Sequence, residues 1–286
     1  MIYFNECDVL INGSGLLFDS VLLSTQNSIL PVYVLGNKGV ISQTSSGPLK
    51  TNIQVSYLLE VGNEPIYGIV SGIKNSHSNF NNNNFILNIG GLTGYVYLES
   101  YGVRVEPNDL VKAVASFVSY EPISGYFTGS IGSTSYNLTK GSGLGHSWST
   151  DLFFRDSSVV DPIYGFDYSF KINWLPVFVL GNKNQVQMHF LGAEESMSFI
   201  KENYSGATIS GDNAVYLLKN IDKIRLNSFS NILKSSKNAP TTSFSAPNIQ
   251  TSGLDFIISG MIVTSTQLSE NVGDFVKSTV NCQKFY

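Results

Sequence analysis

Short alternations of apolar and polar residues run through most of this chain. Val21, Leu23 and Thr25 alternate with Leu22, Ser24 and Gln26. The stretch from Ile53 to Leu58 alternates in the same way, and so does Val186 to Leu191. The runs 111–118 and 276–285 are rich in β-branched and aromatic residues and keep a partial period of two. Alternation of this kind marks half-buried strands. Turn-forming pairs stand between the runs: Asn12-Gly13, Gly36-Asn37, Gly90-Gly91, Gly181-Asn182 and Gly211-Asp212. Helical spacing is confined to 220–234, through Ile221, Ile224, Phe229, Ile232 and Leu233, and that run also divides into short strands. The asparagine-rich tract 75–84 reads as an exposed loop. The pattern predicts a mainly β protein of antiparallel sandwich or barrel type, with few helices.

A repeat organises the pattern. Pro31-Val32-Tyr33-Val34-Leu35-Gly36-Asn37-Lys38 returns as Pro176-Val177-Phe178-Val179-Leu180-Gly181-Asn182-Lys183, an offset of 145 residues, about half the chain. A weaker pair, Asp109-Leu110-Val111-Lys112 and Asp274-Phe275-Val276-Lys277, recurs at an offset of 165. The reading is two similar β domains from an internal duplication. The first covers 1–125 and the second 148–286, with a Gly/Ser-rich linker over 126–147. The second copy carries about 20 additional residues, the difference between the two offsets, placed within 219–253.

Composition then narrows the function. Only 13% of the 286 residues are charged, against roughly 25% in a typical domain, while 15 Tyr and 18 Phe are present. Interfaces between subunits are depleted in charge and enriched in aromatics, so this surface suits burial by copies of the same chain. A Ser/Asn-rich secreted β protein would share the composition. The net charge of −4, without a Lys/Arg cluster, argues against tight binding to a nucleic-acid backbone. The first residues lack a basic, then apolar, leader pattern, and no window is long and apolar enough for a spanning helix.

Candidate chemistry is sparse. Cys7 and Cys282 lie near opposite ends and read as two free thiols. His77, His146 and His189 share no metal-ligand spacing, so neither a metal nor a cofactor is expected. Gly141-Ser142-Gly143-Leu144-Gly145 lacks the strand before and the helix after that a phosphate cradle needs. Glu194 and Glu195 are adjacent, and in a strand they would face opposite ways, which is wrong for an acid–base pair. Trp148 and Trp174 fit core packing better than a sugar-binding face. No catalytic residue is expected. The repeated tips leave Lys38, Lys183, Asn37 and Asn182 as candidate contacts between subunits. Equally, Gly-Asn makes a turn there and Lys keeps the edge soluble.

The strand Leu-Pro-Val-(Tyr/Phe)-Val-Leu-Gly-Asn-Lys, with Leu30 and Leu175 preceding the copies, resembles an early strand of tailed-bacteriophage tail tube proteins. Each repeat's turn into its last strand, 108–112 and 273–277, resembles the turn into the final strand of that fold, and 192–199 resembles the strand that follows the early one. The resemblance implies a virion structural protein, assembled in the host cytoplasm, whose rings stack into a tube through which DNA passes without specific binding. It implies a homo-oligomer, with the duplicate closing as a trimer of pseudo-sixfold symmetry. It also implies contacts with sheath, terminator or baseplate proteins and none with a membrane. A tail terminator, tube initiator or baseplate hub forming a single ring is the alternative within that setting. A β-sandwich adhesin or carbohydrate-binding protein is the alternative outside it.

Overall fold

The computed structural model describes residues 9–45, 47–59, 64–76, 84–107, 109–127, 145–154, 163–182, 184–202, 221–228, 254–257, 261–269 and 277–286. The first half supplies β1 (Val9–Ile11), β2 (Ser14–Gly15), β3 (Leu17–Gln26), β4 (Ile29–Val32), β5 (Ser42–Ser45) and β6 (Lys50–Leu58). Helix α1 (Pro65–Ser76), β7 (Phe85–Ile89), β8 (Leu92–Val105) and β9 (Lys112–Ser119) complete it. The second half supplies β10 (Gly145–Phe154), β11 (Ile163–Val177), β12 (Gln187–Glu202) and β13 (Ile221–Ser228). It ends with β14 (Leu254–Ile257), β15 (Ile262–Ser269) and β16 (Lys277–Phe285). The protein is mainly β and antiparallel, as the alternation predicts.

Eight strands run side by side in the order β3-β6-β9-β8-β11-β12-β16-β15, with β7, β1 and β2 branching from the first half of β8. The order contains a repeat: β3-β6-β9-β8 is followed by β11-β12-β16-β15. The registers repeat as well. Phe18 pairs with Tyr57 and Ser20 with Ser56 across a bulge, and Ile163 pairs with Lys201 and Gly165 with Ile200 across another. Val55 faces Ala115, and Phe199 faces Val280. The bulge between Leu98 and Ser100, opposite Phe117 and Ser116, recurs between Val263 and Ser265, opposite Cys282 and Asn281. The offset is 145 in the first strand of the unit, 144 in the second and 165 in the last two. Bulges add one unpaired residue and bend the strand, so two units with the same bulges bend alike. The two halves meet directly, β8 against β11, within one continuous sheet.

One face of this sheet is buried. Ile53, Val55 and Tyr57 of β6, Tyr101 and Val103 of β8, and Phe166, Tyr168 and Phe170 of β11 share a single core with Met197 and Phe199 of β12. Residues from both halves belong to that core. Ile66, Tyr67, Val70 and Ile73 of α1 pack into it. Their three-to-four-residue spacing puts them on one side of the helix.

Glu64 starts α1. Its Oε1 accepts the Tyr57 hydroxyl at 2.7 Å and the Tyr67 N–H at 3.4 Å, an N-cap geometry, with Pro65 in the favoured first helical position. Its Oε2 is buried with no partner among the described residues. Burial pushes the Glu64 carboxyl up to about 7 against the pull of its hydrogen bonds. The folded chain therefore holds a proton that the unfolded chain releases near pH 4.5. Stability from this group is full below that pH and falls as pH rises to about 7. Urea unfolding at pH 5 and pH 7.5 checks this: Glu64→Gln should flatten the pH slope by an amount on the order of 2–3 kcal/mol.

The helical reading of 220–234 is corrected over its first part. Ile221–Ser228 is strand β13, paired with β10 and β14. Ile224, Arg225 and Leu226 alternate with period two, and cross-strand pairing on both sides outweighs the looser helical spacing. Positions 229–234 lie outside the described residues, as do His77, Cys7, most of 126–147 and the rest of 219–253.

Candidate assembly surface

The two units meet at one strand junction. From Ser100 to Val105, β8 pairs with Lys171 to Phe166 of β11. On the covered side, Tyr101 and Tyr168 meet edge to face at 6.5 Å. Glu195, fully buried, accepts the Tyr168 hydroxyl at 2.8 Å and the Tyr286 hydroxyl at 2.6 Å. Lys74, from α1 of the first half, closes on Glu195 as an ion pair and donates to the Tyr168 oxygen at 3.3 Å. Burial pulls the Lys74 ammonium down and Glu195 pushes it back up. Burial drives the Tyr168 and Tyr286 hydroxyls well above their ordinary range, so both remain donors. On the open side, Arg104 reaches Asp167 at 3.6 Å and Glu106 at 2.6 Å. Both pairs are exposed, so each contributes at most about 1 kcal/mol. Burial raises the Asp167 pKa and Arg104 opposes the shift. The pleat and the buried aromatics therefore set the register of this junction.

The other face of the sheet is polar and runs across both units. One row across the strands reads Lys112, Arg104, Asp167, Ser198, Asn281, Ser265. The next includes Gly102, Ser169, Ser196 and Gln283, with the Ser169 and Ser196 hydroxyls 2.8 Å apart. The third includes Gln54, Ser116, Ser100, Lys171 and Glu194. Cations in these rows stand beside anions: Arg104 by Asp167, Lys171 by Glu194. Nucleic-acid grips cluster unpaired cations and add aromatic platforms. In these rows the cations do not cluster unpaired, and the one aromatic is the exposed Phe285 at the end of the third row, opposite Glu194.

The sheet ends in two exposed strands. Among the described residues, β3 pairs only with β6 and β15 only with β16. Leu22 and Leu23 on β3 and Ile262 on β15 are exposed. Unpaired edges are templates for another strand.

Two hairpin arms carry the repeated motif. Strands β4 and β5 form a separate two-stranded ribbon, exposed throughout. The outer ends of β11 and β12 form the other arm. Their turns share one geometry. Asn37 N–H donates to Val34 O at 3.1 Å, and Asn182 N–H to Val179 O at 3.2 Å. Ile41 N–H donates to Val32 O at 3.0 Å, and Val186 N–H to Val177 O at 2.9 Å. Gly36 and Gly181 take φ of 93° and 85°, where a side chain is strained. The turns push Leu35 and Leu180 out to 105% relative exposure each. Asn37 and Lys38 sit on the first tip and Asn182 on the second, while Lys183 lies outside the described residues. Asn182 Oδ1 accepts the Asn184 N–H at 3.0 Å, a local turn bond. The two leucines, not singled out from the sequence, are the most exposed large apolar side chains among the described residues. Their identical place in both copies of the motif was the available signal.

Of the remaining candidates, Trp174 is spent on packing. Trp174 Nε1–H donates to Leu98 O at 2.6 Å, and its ring lies against Tyr97 and Phe190. His189 is half-buried on β12, opposite Leu175. Cys282 is a buried free thiol that burial pushes up to about 12. Glu194 and Glu195 face opposite ways; Glu194 accepts from Gln283. The side chains of His146 and Trp148 are outside the described ones. Among the described residues, no group of three or more His, Cys, Asp or Glu could hold a metal ion, and no helix is long and apolar enough to cross a membrane.

No protein-family model matches the chain, and no curated protein matches it. Among solved structures, the chain is similar to the Dit protein of phage SPP1, described as a paradigm of the hub adsorption apparatus of phages infecting Gram-positive bacteria. The match covers 98% of this chain and 99% of that one at 9% identity, with a TM-score of 0.22. A superposition that loose carries no argument about fold or function.

Proposed function

We propose that this chain is a structural subunit of a bacteriophage tail, a virion building block that closes rings with copies of itself and stacks them into a tube around the DNA path. One observation supports the ring: an eight-strand run whose strand order and bulges repeat after four strands, and whose two end strands, β3 and β15, pair on one side only among the described residues. Each strand is antiparallel to its neighbour, so β3 and β15 run in opposite directions. A rotation about an axis along the strands then brings β15 of one copy beside β3 of the next in antiparallel fashion. Head-to-tail contacts of this kind close into rings and leave no edge open. Three chains would present six four-strand units. The tail assignment rests on the resemblance of the repeated Leu-Gly-Asn-Lys strands to tube proteins. The charge-paired polar face suits a wall that DNA passes without being held. Sheath, terminator or baseplate proteins would be the axial partners. This reading gives catalysis no part: Glu64 caps α1 and Glu195 holds Lys74 of the same helix.

Negative-stain electron microscopy over a concentration series tests the proposal. Rings that stack into tubes of constant diameter are expected. Single rings at every concentration would favour a terminator, initiator or hub. A monodisperse monomer throughout would overturn ring formation.

A further inference from the structure

The junction β8–β11 does more than join the halves of one chain. We propose that it is the template for the contact between chains, with β15 of one copy and β3 of a second copy pairing in the register that β8 and β11 already show. This rests on the ring-forming reading above and specifies its interface residue by residue. β3 occupies in the first unit the place of β11 in the second, at an offset of 145; β15 occupies the place of β8, at an offset of 165. Both equivalences hold through the bulges, at Phe18/Ser20 against Ile163/Gly165 and at Leu98/Ser100 against Val263/Ser265. The last strand of the first unit is covered by the first strand of the second. The last strand of the second unit, β15, meets no strand beyond β16 among the described residues, and the first strand of the first unit, β3, none beyond β6. A second copy supplies the missing neighbour to each.

The register follows by translation. Asp167 faces Arg104, so Leu22 faces Ser269 of the next copy. Tyr168 faces Val103, so Leu23 faces Leu268. Ser169 faces Gly102, so Ser24 faces Gln267. The pleat agrees. Val21 and Leu23 lie across from the buried Val55 and Ile53, as Phe166 and Tyr168 lie on the buried face of β11. Leu22 and Ser24 then continue the polar face. Leu22 and Leu23, exposed in one chain, come to lie against a neighbouring strand.

Disulfide trapping tests the register. Opposed residues in an antiparallel pair have Cα atoms roughly 4.5–5.5 Å apart, within disulfide reach. In a Cys7→Ser background, the pair Ser24→Cys and Gln267→Cys is oxidised under assembly conditions. Cys282 stays silent because it is buried and its thiol is pushed up to about 12. A ladder of linked chains ending in a closed ring is expected from the pair, and no ladder from either single variant. The mis-registered pair Ser24→Cys and Ser269→Cys should cross-link at least tenfold more slowly. Rings that form but cross-link only through the mis-registered pair, or through neither, would overturn the seam and leave ring formation standing. Absence of both rings and cross-links would overturn seam and ring together.

Discussion

Lys74→Met is expected to destabilise the folded chain by about 3–5 kcal/mol, the cost of leaving a buried carboxylate without its cation. Glu195 is fully buried and the Lys74 side chain is only 10% exposed, so water cannot replace the lost partner. The Tyr168 and Tyr286 hydroxyls would still bond Glu195, which holds the loss below that of an isolated charge. Glu195→Gln should cost a similar amount, because it takes away the anion that offsets burial of the Lys74 ammonium. The double variant should lose less than the two single losses combined, since neither charge remains unpaired. Urea unfolding followed by tyrosine and tryptophan fluorescence measures all three. Equal and additive losses would mean that the pair does not couple α1 to the second unit.

Leu22→Asp with Ser269→Asp is expected to raise the concentration needed for assembly at least about tenfold. The template places these positions opposite each other, as Asp167 and Arg104 are within the chain. Like charges directly opposed across an antiparallel pair repel, and about 1.4 kcal/mol is already a factor of ten. Leu22→Asp with Ser269→Arg rebuilds the ion pair of the internal seam and should restore assembly. Both residues are exposed on edge strands, so the monomer should unfold at unchanged urea concentration. Light scattering against concentration reads the midpoint. Restoration by Ser269→Asp as readily as by Ser269→Arg would mean that the two positions do not meet.

Much of the architecture is legible in the sequence because alternation with period two survives in half-buried strands. β3, β6, β9 and β16 lie where Val21–Gln26, Ile53–Leu58, 111–118 and 276–285 alternate. The repeated motif marks two turns of one geometry, and the change of offset from 145 to 165 falls between the strands that carry each. Helix α1 was missed. Gly68 and Gly72 interrupt it, and its signals are short: Pro65 after Glu64, then Ile66, Val70 and Ile73 on one side. The core of the sheet decides that helix more than its own propensity does. The continuity of the large sheet across both halves was not legible either, because the pairing of β8 with β11 joins residues more than sixty positions apart and no local pattern encodes it. Lys38, Asn37 and Asn182 were found as tip residues through repetition alone, whereas the leucines beside them read as ordinary strand residues. The buried Lys74–Glu195 pair unites two charges 121 positions apart, and the adjacent Glu194 disguised which carboxylate turns inward.

The most direct test of the account is to count, in one preparation, the chains in a ring by native mass spectrometry and its lobes by electron-microscopic class averages. Twice as many lobes as chains are expected, six lobes for three chains, because each chain would contribute two four-strand units to one closed sheet. A chain that stays monomeric at every concentration, or a ring with one lobe per chain, would contradict it.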